Sequence, residues 1–145
     1  MAGFTMIALD SNVPATRALR APGRTELDGA IARALAAGEA FGLPLPCIGE
    51  FYRVVTWDQQ PNRLAPLAAL SFLEDWISRN NIMRPGARFW TILSSLIREH
   101  QPSSVGIFDY QIAAVCLEHG IDTIWTLDTR FPRVEGLNIV NPLSL

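Results

Sequence analysis

Short apolar runs alternate along this chain with longer stretches in which apolar residues recur every three or four positions. Phe4 to Leu9 is such a run, bounded by polar residues, and it suits a strand buried on both faces of a parallel sheet. Pro22 and Gly23 mark a loop, and Thr25 with Asp28 three residues on resembles a helix start. The helix predicted there runs to about Ala37 and stops at Gly38. Ala40 to Leu43 reads as a short second strand. Pro46 suits a first helical turn and opens a helix through "PCIGEFYRVVTW". After the loop "QQPNRLAP", Pro66 opens another helix, through "LAALSFLEDWISRN". "NIMRP" predicts a third strand and "RFWTILSSLIREH" a further helix. Pro102 to Gly106 is a connector, and "FDYQIAAVCLEHG" is a helix with its stop at Gly120. "IDTIWTL" is then a fourth strand, and "LNIVNP" a short last one closed by Pro142.

Strands alternating with helices predict an α/β fold with a mostly parallel sheet, as one domain over residues 1–145. In such sheets ligands gather beyond the carboxyl ends of the strands. A chain of 145 residues buries enough surface to need no disulfide or structural metal. With 49% hydrophobic and 18% charged residues it has the composition of a soluble globular protein. No apolar run approaches the roughly 20 residues of a membrane-spanning helix. The N-terminus lacks a basic start and a cleavage site, so a cytoplasmic protein with no membrane partner is expected.

Composition adds two constraints. The formal net charge is −2, and all 12 basic residues are Arg. Arg grips phosphate in a two-pronged fork, but an Arg-only chain is equally what a G- and C-rich genome encodes. The absence of Lys excludes any mechanism that needs a catalytic lysine. Cys47 and Cys116, far apart among apolar residues, read as buried free thiols, and no Cys/His group has zinc-site spacing.

The acids carry the chemistry. Asp10 ends the first strand and Asp128 stands just past the fourth, both at the edge where ligands bind. Asp109 opens a helix whose apolar stripe includes Ile112, Ala113 and Cys116, which puts the acid on the core-facing side; capping the helix is its other reading. Glu50 borders the buried stripe of its helix at helical spacing from Cys47, Val54 and Trp57, or else is a solvated surface residue. Half-buried carboxylates gathered together repel one another, so either some are protonated or a cation sits among them. Carboxylates without His or Cys suit Mg²⁺ or Mn²⁺ acting on phosphate oxygens. The other ten acids fall on helix exteriors, ends and loops, and His100 and His119 each close a helix.

The ordered segments "MIALDSNV", "PCIGEFYRVVT", "FDYQIAAVCLEHGIDTIWTLD" and "RFPRVEGLNIVNPL" resemble a PIN-domain ribonuclease, and look like the VapC-type toxin of a bacterial type II (VapBC) toxin–antitoxin pair. That pattern opens with Asp-Thr/Ser-Asn after the first strand, met by Asp10, Ser11 and Asn12. Its next acid, often in "E(F/L)xRV(V/L)T", is met by Glu50. The helix-starting acid of "DxxIAA" is met by Asp109, and "Thr-x-Asp-x-x-Phe" by Thr126, Asp128 and Phe131. Two positions depart from it. Pro14 replaces an aliphatic residue, from which an early bend is expected. Arg130 stands where a second Asp is common, removing a metal contact or supplying a phosphate ligand.

The resemblance implies a three-layer α/β/α sandwich around a central parallel sheet of four or five strands. It implies metal-dependent RNA cleavage to a 5′-phosphate and a 3′-hydroxyl. On this basis Asp10, Asp109 and Asp128 would hold Mg²⁺ or Mn²⁺, and Glu50 would complete the set or orient the attacking water. Asn12, Thr126 and Ser11 would support the carboxylates. By position alone, Arg17, Arg20 and Arg130 are candidates for the RNA backbone. It also implies a VapB-like antitoxin partner and a homodimer; the apolar stretch Leu64 to Trp76 would be a contact surface or pack on the domain's own core. A response-regulator receiver needs a lysine this chain lacks, and a haloacid-dehalogenase-like phosphatase needs an Asp where Asn12 stands. A PIN-like module that binds RNA or protein without cutting stays open.

Overall fold

The structure, a computed structural model, describes residues 5–145, so Phe4 of the first apolar run lies outside the described residues. Five strands form one parallel sheet: β1 (Met6–Leu9), β2 (Ala40–Pro44), β3 (Asn81–Met83), β4 (Thr123–Trp125) and β5 (Asn138–Val140). Their order is β3-β2-β1-β4-β5. The chain thus builds outward from β1 on one side and then returns to build on the other. The reversal falls between β1 and β4, where the loops leaving their carboxyl ends part and open a crevice.

Ile7, Ala8 and Leu9 are all buried, which a strand achieves only when both faces of the sheet are covered. Helices supply the cover: α1 (Asn12–Ala18), α2 (Arg24–Ala36), α3 (Leu45–Thr56), α4 (Pro66–Arg79), α5 (Phe89–His100) and α6 (Ile107–Glu118). The result is the three-layer α/β/α sandwich. The main core joins the sheet to α2, α5 and α6 through Leu27, Leu93, Ile112 and Val115, and Phe41 meets Trp125 edge-on across β1. A smaller core of Ala15, Leu19, Phe51, Val55, Ala69 and Leu73 locks α1, α3 and α4 together. α4 therefore packs on its own domain through Ala69, Leu73 and Trp76, and leaves Leu67 and Leu70 exposed.

Three local expectations are corrected. No early bend follows Pro14: α1 runs through it, because the third helical position donates no intrahelical hydrogen bond and so tolerates a residue without N–H. Thr25 and Asp28 do not cap α2, which starts one residue earlier behind Gly23 in a left-handed conformation (φ 92°). Asp28 instead takes Arg17 at 2.7 Å and Arg24 at 3.6 Å. Asp109 makes no cap bond either, since α6 begins at Ile107 behind the short turn Ser104–Gly106. Gly38 does end the first long helix in the left-handed conformation expected of it (φ 86°).

Candidate active site

Asp10 follows the last residue of β1 and its N–H donates to the Trp125 carbonyl of β4 at 3.0 Å, so the ladder reaches as far as the acid itself. Its carboxylate is buried, 6% exposed, and four groups hold it. The Ser11 N–H donates to Oδ1 at 2.8 Å and the Cys47 thiol lies 3.9 Å from the same oxygen. The Thr126 hydroxyl donates to Oδ2 at 2.8 Å, and Asn12 Nδ2 reaches it at 3.3 Å. Burial pushes the Asp10 carboxyl up from its ordinary value; the hydrogen bonds from Thr126 and Ser11 pull the other way.

Asn12 and Thr126 tie the two loop exits together. The Asn12 side chain donates to Thr126 Oγ1 at 3.2 Å and accepts from the Leu127 N–H at 2.9 Å. Thr126 Oγ1 in turn accepts from the Asp128 N–H at 3.1 Å, which sets the backbone that carries Asp128. One buried hydroxyl thus positions two carboxylates that lie far apart in sequence.

Asp109 enters from the first turn of α6, and Glu50 from α3. All four acids, Asp10, Glu50, Asp109 and Asp128, line one cavity of about 300 Å³, with Ser11, Asn12, Thr16 and Gln60. Asp109 feels the gathering most clearly: its carboxyl is pushed up to about 6, first by desolvation and then by the charges of Asp10, Asp128 and Glu50. The four oxygen-only side chains are the donor set that Mg²⁺ or Mn²⁺ prefers. They share the cavity without closing on a point: among the described residues no three His, Cys, Asp or Glu side chains stand at metal-binding distance of one another. Two guanidiniums lean on the acids from outside, Arg130 on Asp128 at 3.3 Å and Arg53 on Glu50 at 3.9 Å.

A scan of protein families matches the chain over residues 7–137 to the PIN domain. The chain belongs to the PIN-domain family. Among curated relatives, this PIN domain is 31% identical over 83 residues to Ribonuclease VapC48 of Mycobacterium tuberculosis, a match that spans 57% of that protein and 56% of this chain. The chain spans little more than half the length of the relative it matches. Among solved structures, it resembles a chain of VapBC2 from Rickettsia felis bound to a promoter DNA fragment. The TM-score is 0.73 at 18% identity, covering 94% of this chain and 98% of that one. It also resembles DNA-bound VapBC from Salmonella typhimurium, with TM-score 0.70 at 17% identity over 97% of this chain and 99% of that one. A third likeness is to VapC20 of Mycobacterium tuberculosis, a sarcin–ricin-loop-cleaving toxin, with TM-score 0.64 at 14% identity over 86% and 92%. At these identities the likeness shows the fold.

The supporting residues of this PIN domain fall into two groups. Ser11, Asn12 and Thr126 all contact Asp10. Of the three arginines, only Arg130 lies at the acids. Arg17 is instead committed inward, paired with Asp28 and stacked over Trp76 at 5.3 Å. α1 turns this side chain toward α2 and α4, away from the cavity that the acids line. Arg20 sits in a left-handed conformation (φ 52°) beyond the end of α1, and does not line this cavity. Cys47 is a contact that the sequence reading missed, although its place three residues before Glu50 puts both on one face of α3. Burial and the nearby Asp10 charge keep its thiol protonated, well above the ordinary range.

Proposed function

We propose that this PIN domain is a metal-dependent ribonuclease of the VapC toxin type, hydrolysing RNA to 5′-phosphate and 3′-hydroxyl products. The observation that carries the reading is that Asp10, Glu50, Asp109 and Asp128 line one cavity at the sheet's switch point. The partial match to Ribonuclease VapC48 supports it. Asp10, Asp109 and Asp128 are the residues that would hold Mg²⁺ or Mn²⁺, with Glu50 completing the set. Such an ion, when bound, neutralises charge building on the phosphate and lowers the pKa of the attacking water. The chain's own part is to preset the carboxylates. Thr126 and Asn12 fix Asp10, while Asp109 gives up its proton more easily once a cation replaces the repulsion around it. On the same reading the toxin is silenced by a VapB-like antitoxin, as the named VapBC neighbours are complexes of such pairs. A homodimer is part of the same proposal.

The test is incubation of the purified chain with structured RNAs and Mg²⁺ or Mn²⁺. Cleavage that chelator abolishes, and that is lost in Asp10→Asn, supports the reading. Intact RNA, or cleavage unchanged in Asp10→Asn, sinks it. One observation favours a second reading, a PIN module that binds without cutting: the acids line the cavity without closing to coordination distance. Intact RNA together with measurable RNA binding would select it.

A further inference from the structure

A second cavity of about 700 Å³ opens beside the first and shares Glu50, Asp109 and Asp128 with it. Its remaining wall is different in kind, made of Arg53, Arg130, Val105, Gly106 and Phe108. Among the described residues, the first cavity has no cationic side chain in its lining. The acids therefore stand on a boundary, with a basic and apolar chamber on one side only.

Both arginines are open to water, with side chains 71% and 89% exposed, and their pairs with Glu50 and Asp128 span 3.9 and 3.3 Å. Exposed pairs of this kind hold weakly, so each guanidinium can change partners at little cost. Phe108 is 52% exposed and Val105 75%, in adjoining turns that open the second cavity. A bare aromatic ring in one cavity with two guanidiniums matches a polymer that carries both phosphates and flat apolar faces. Unpaired RNA offers both, whereas a duplex keeps its base faces stacked inside.

We propose that this second cavity seats the unpaired RNA strand on one side of the cut, with Arg53 and Arg130 on phosphates and Phe108 stacked on a base. The proposal rests on the nuclease reading of the four acids. Because the strand is gripped on one flank only, the distance from Phe108 to the acids sets which phosphodiester lies over them. Arg53, Arg130 and Phe108 are thus positioning residues, and binding is where they are read.

The experiment is fluorescence anisotropy with the full chain and a labelled unpaired RNA of about 12 nucleotides, within the span that single-strand grooves hold. It is run in Ca²⁺, with RNA integrity checked on a gel, against the same sequence as a duplex. Phe108→Ala is expected to weaken binding of the single strand about tenfold. Arg53→Ala and Arg130→Ala are each expected to lower the slope of log affinity against log salt by about 0.7. Arg79→Ala, which removes an exposed charge on α4 paired with Asp75, should change neither. The proposal is overturned if all three variants behave like Arg79→Ala, if the duplex binds as tightly as the strand, or if an acidic peptide such as polyglutamate binds better and loses that binding in the same variants. Cleavage in Mg²⁺ separates the two claims. A chain that cuts while these variants bind normally keeps the nuclease and loses this chamber. A chain that binds as described and never cuts keeps the chamber and loses the nuclease.

Discussion

Thr126→Val is the sharpest probe of how the site is held. Thr126 is 2% exposed, and its hydroxyl makes three hydrogen bonds: to Asp10 Oδ2 at 2.8 Å, from Asn12 Nδ2 at 3.2 Å and from the Asp128 N–H at 3.1 Å. Valine keeps the shape and removes all three. A hydrogen bond to a charged carboxylate contributes about 1.5–3 kcal/mol, and the half-buried Asp128 amide loses about 1 kcal/mol more. The variant should therefore be less stable by about 2.5–4 kcal/mol, a large part of the roughly 5–15 kcal/mol that a domain holds. Thr126→Ser keeps the hydroxyl and loses one methyl group, for about 1 kcal/mol. Urea unfolding near neutral pH measures both, with an unchanged slope showing that stability alone moved. The pH dependence has a definite sign. The Thr126 bond lowers the Asp10 pKa, so its loss raises that value further in the folded variant. The penalty is full where Asp10 is ionised in both proteins and shrinks as acid protonates it. A Thr126→Val protein within about 0.5 kcal/mol of the parent at neutral pH, or matching Thr126→Ser, would refute the account.

Three other outcomes are expected. The Asp109 carboxyl is pushed up to about 6 from 3.8, so the folded state holds that proton longer than the unfolded chain, and stability falls as pH rises across that window. Discounted for its partial exposure, the loss is about 1 kcal/mol. In chelator, Asp109→Asn should thus melt higher than the parent above pH 6 and no higher below 3.8; parallel melting profiles would count against the shift. Millimolar Mg²⁺ or Mn²⁺ at about a hundredfold over its dissociation constant should add about 2.7 kcal/mol and raise Tm by several degrees, an effect that Asp10→Asn should abolish; a flat response in the parent argues against the metal. Arg17→Ala should cost about 1–2 kcal/mol by unstacking Trp76 and leaving Asp28 only its longer pair with Arg24, while leaving the salt dependence of RNA binding unchanged; a reduced salt slope would place Arg17 on the RNA.

Much of the fold was legible because its signals are local. The apolar run ending at Leu9, the Pro-opened helices and the Gly stops each depend on a few neighbouring residues, and all reappear within a residue or three of where the pattern puts them. α1 was not legible, because a Pro near a helix start is read as punctuation when it is a tolerated third position. Thr25 and Asp28 misled for a related reason: a cap is one use of a short polar side chain, and the Arg17 guanidinium competed for Asp28 and won. The four site acids could be named because each borders an element whose end is marked in the sequence. Arg17 could not be sorted from Arg130, since nothing within a few residues tells which way an arginine turns.

The chain's order of residues alone determined the α/β class, the parallel sheet and the four acids at its functional edge, since strand length, helical period and capping chemistry are properties of adjacent residues. Only the tertiary structure decided that those acids share one cavity without closing to coordination distance. It alone placed a buried threonine hydroxyl between two of them, and put two arginines and a bare phenylalanine on one flank. The physical reason is range. Desolvation, like-charge repulsion and hydrogen bonds between residues 10 and 126 exist only once the sheet brings β1 and β4 side by side, and no window along the chain contains both.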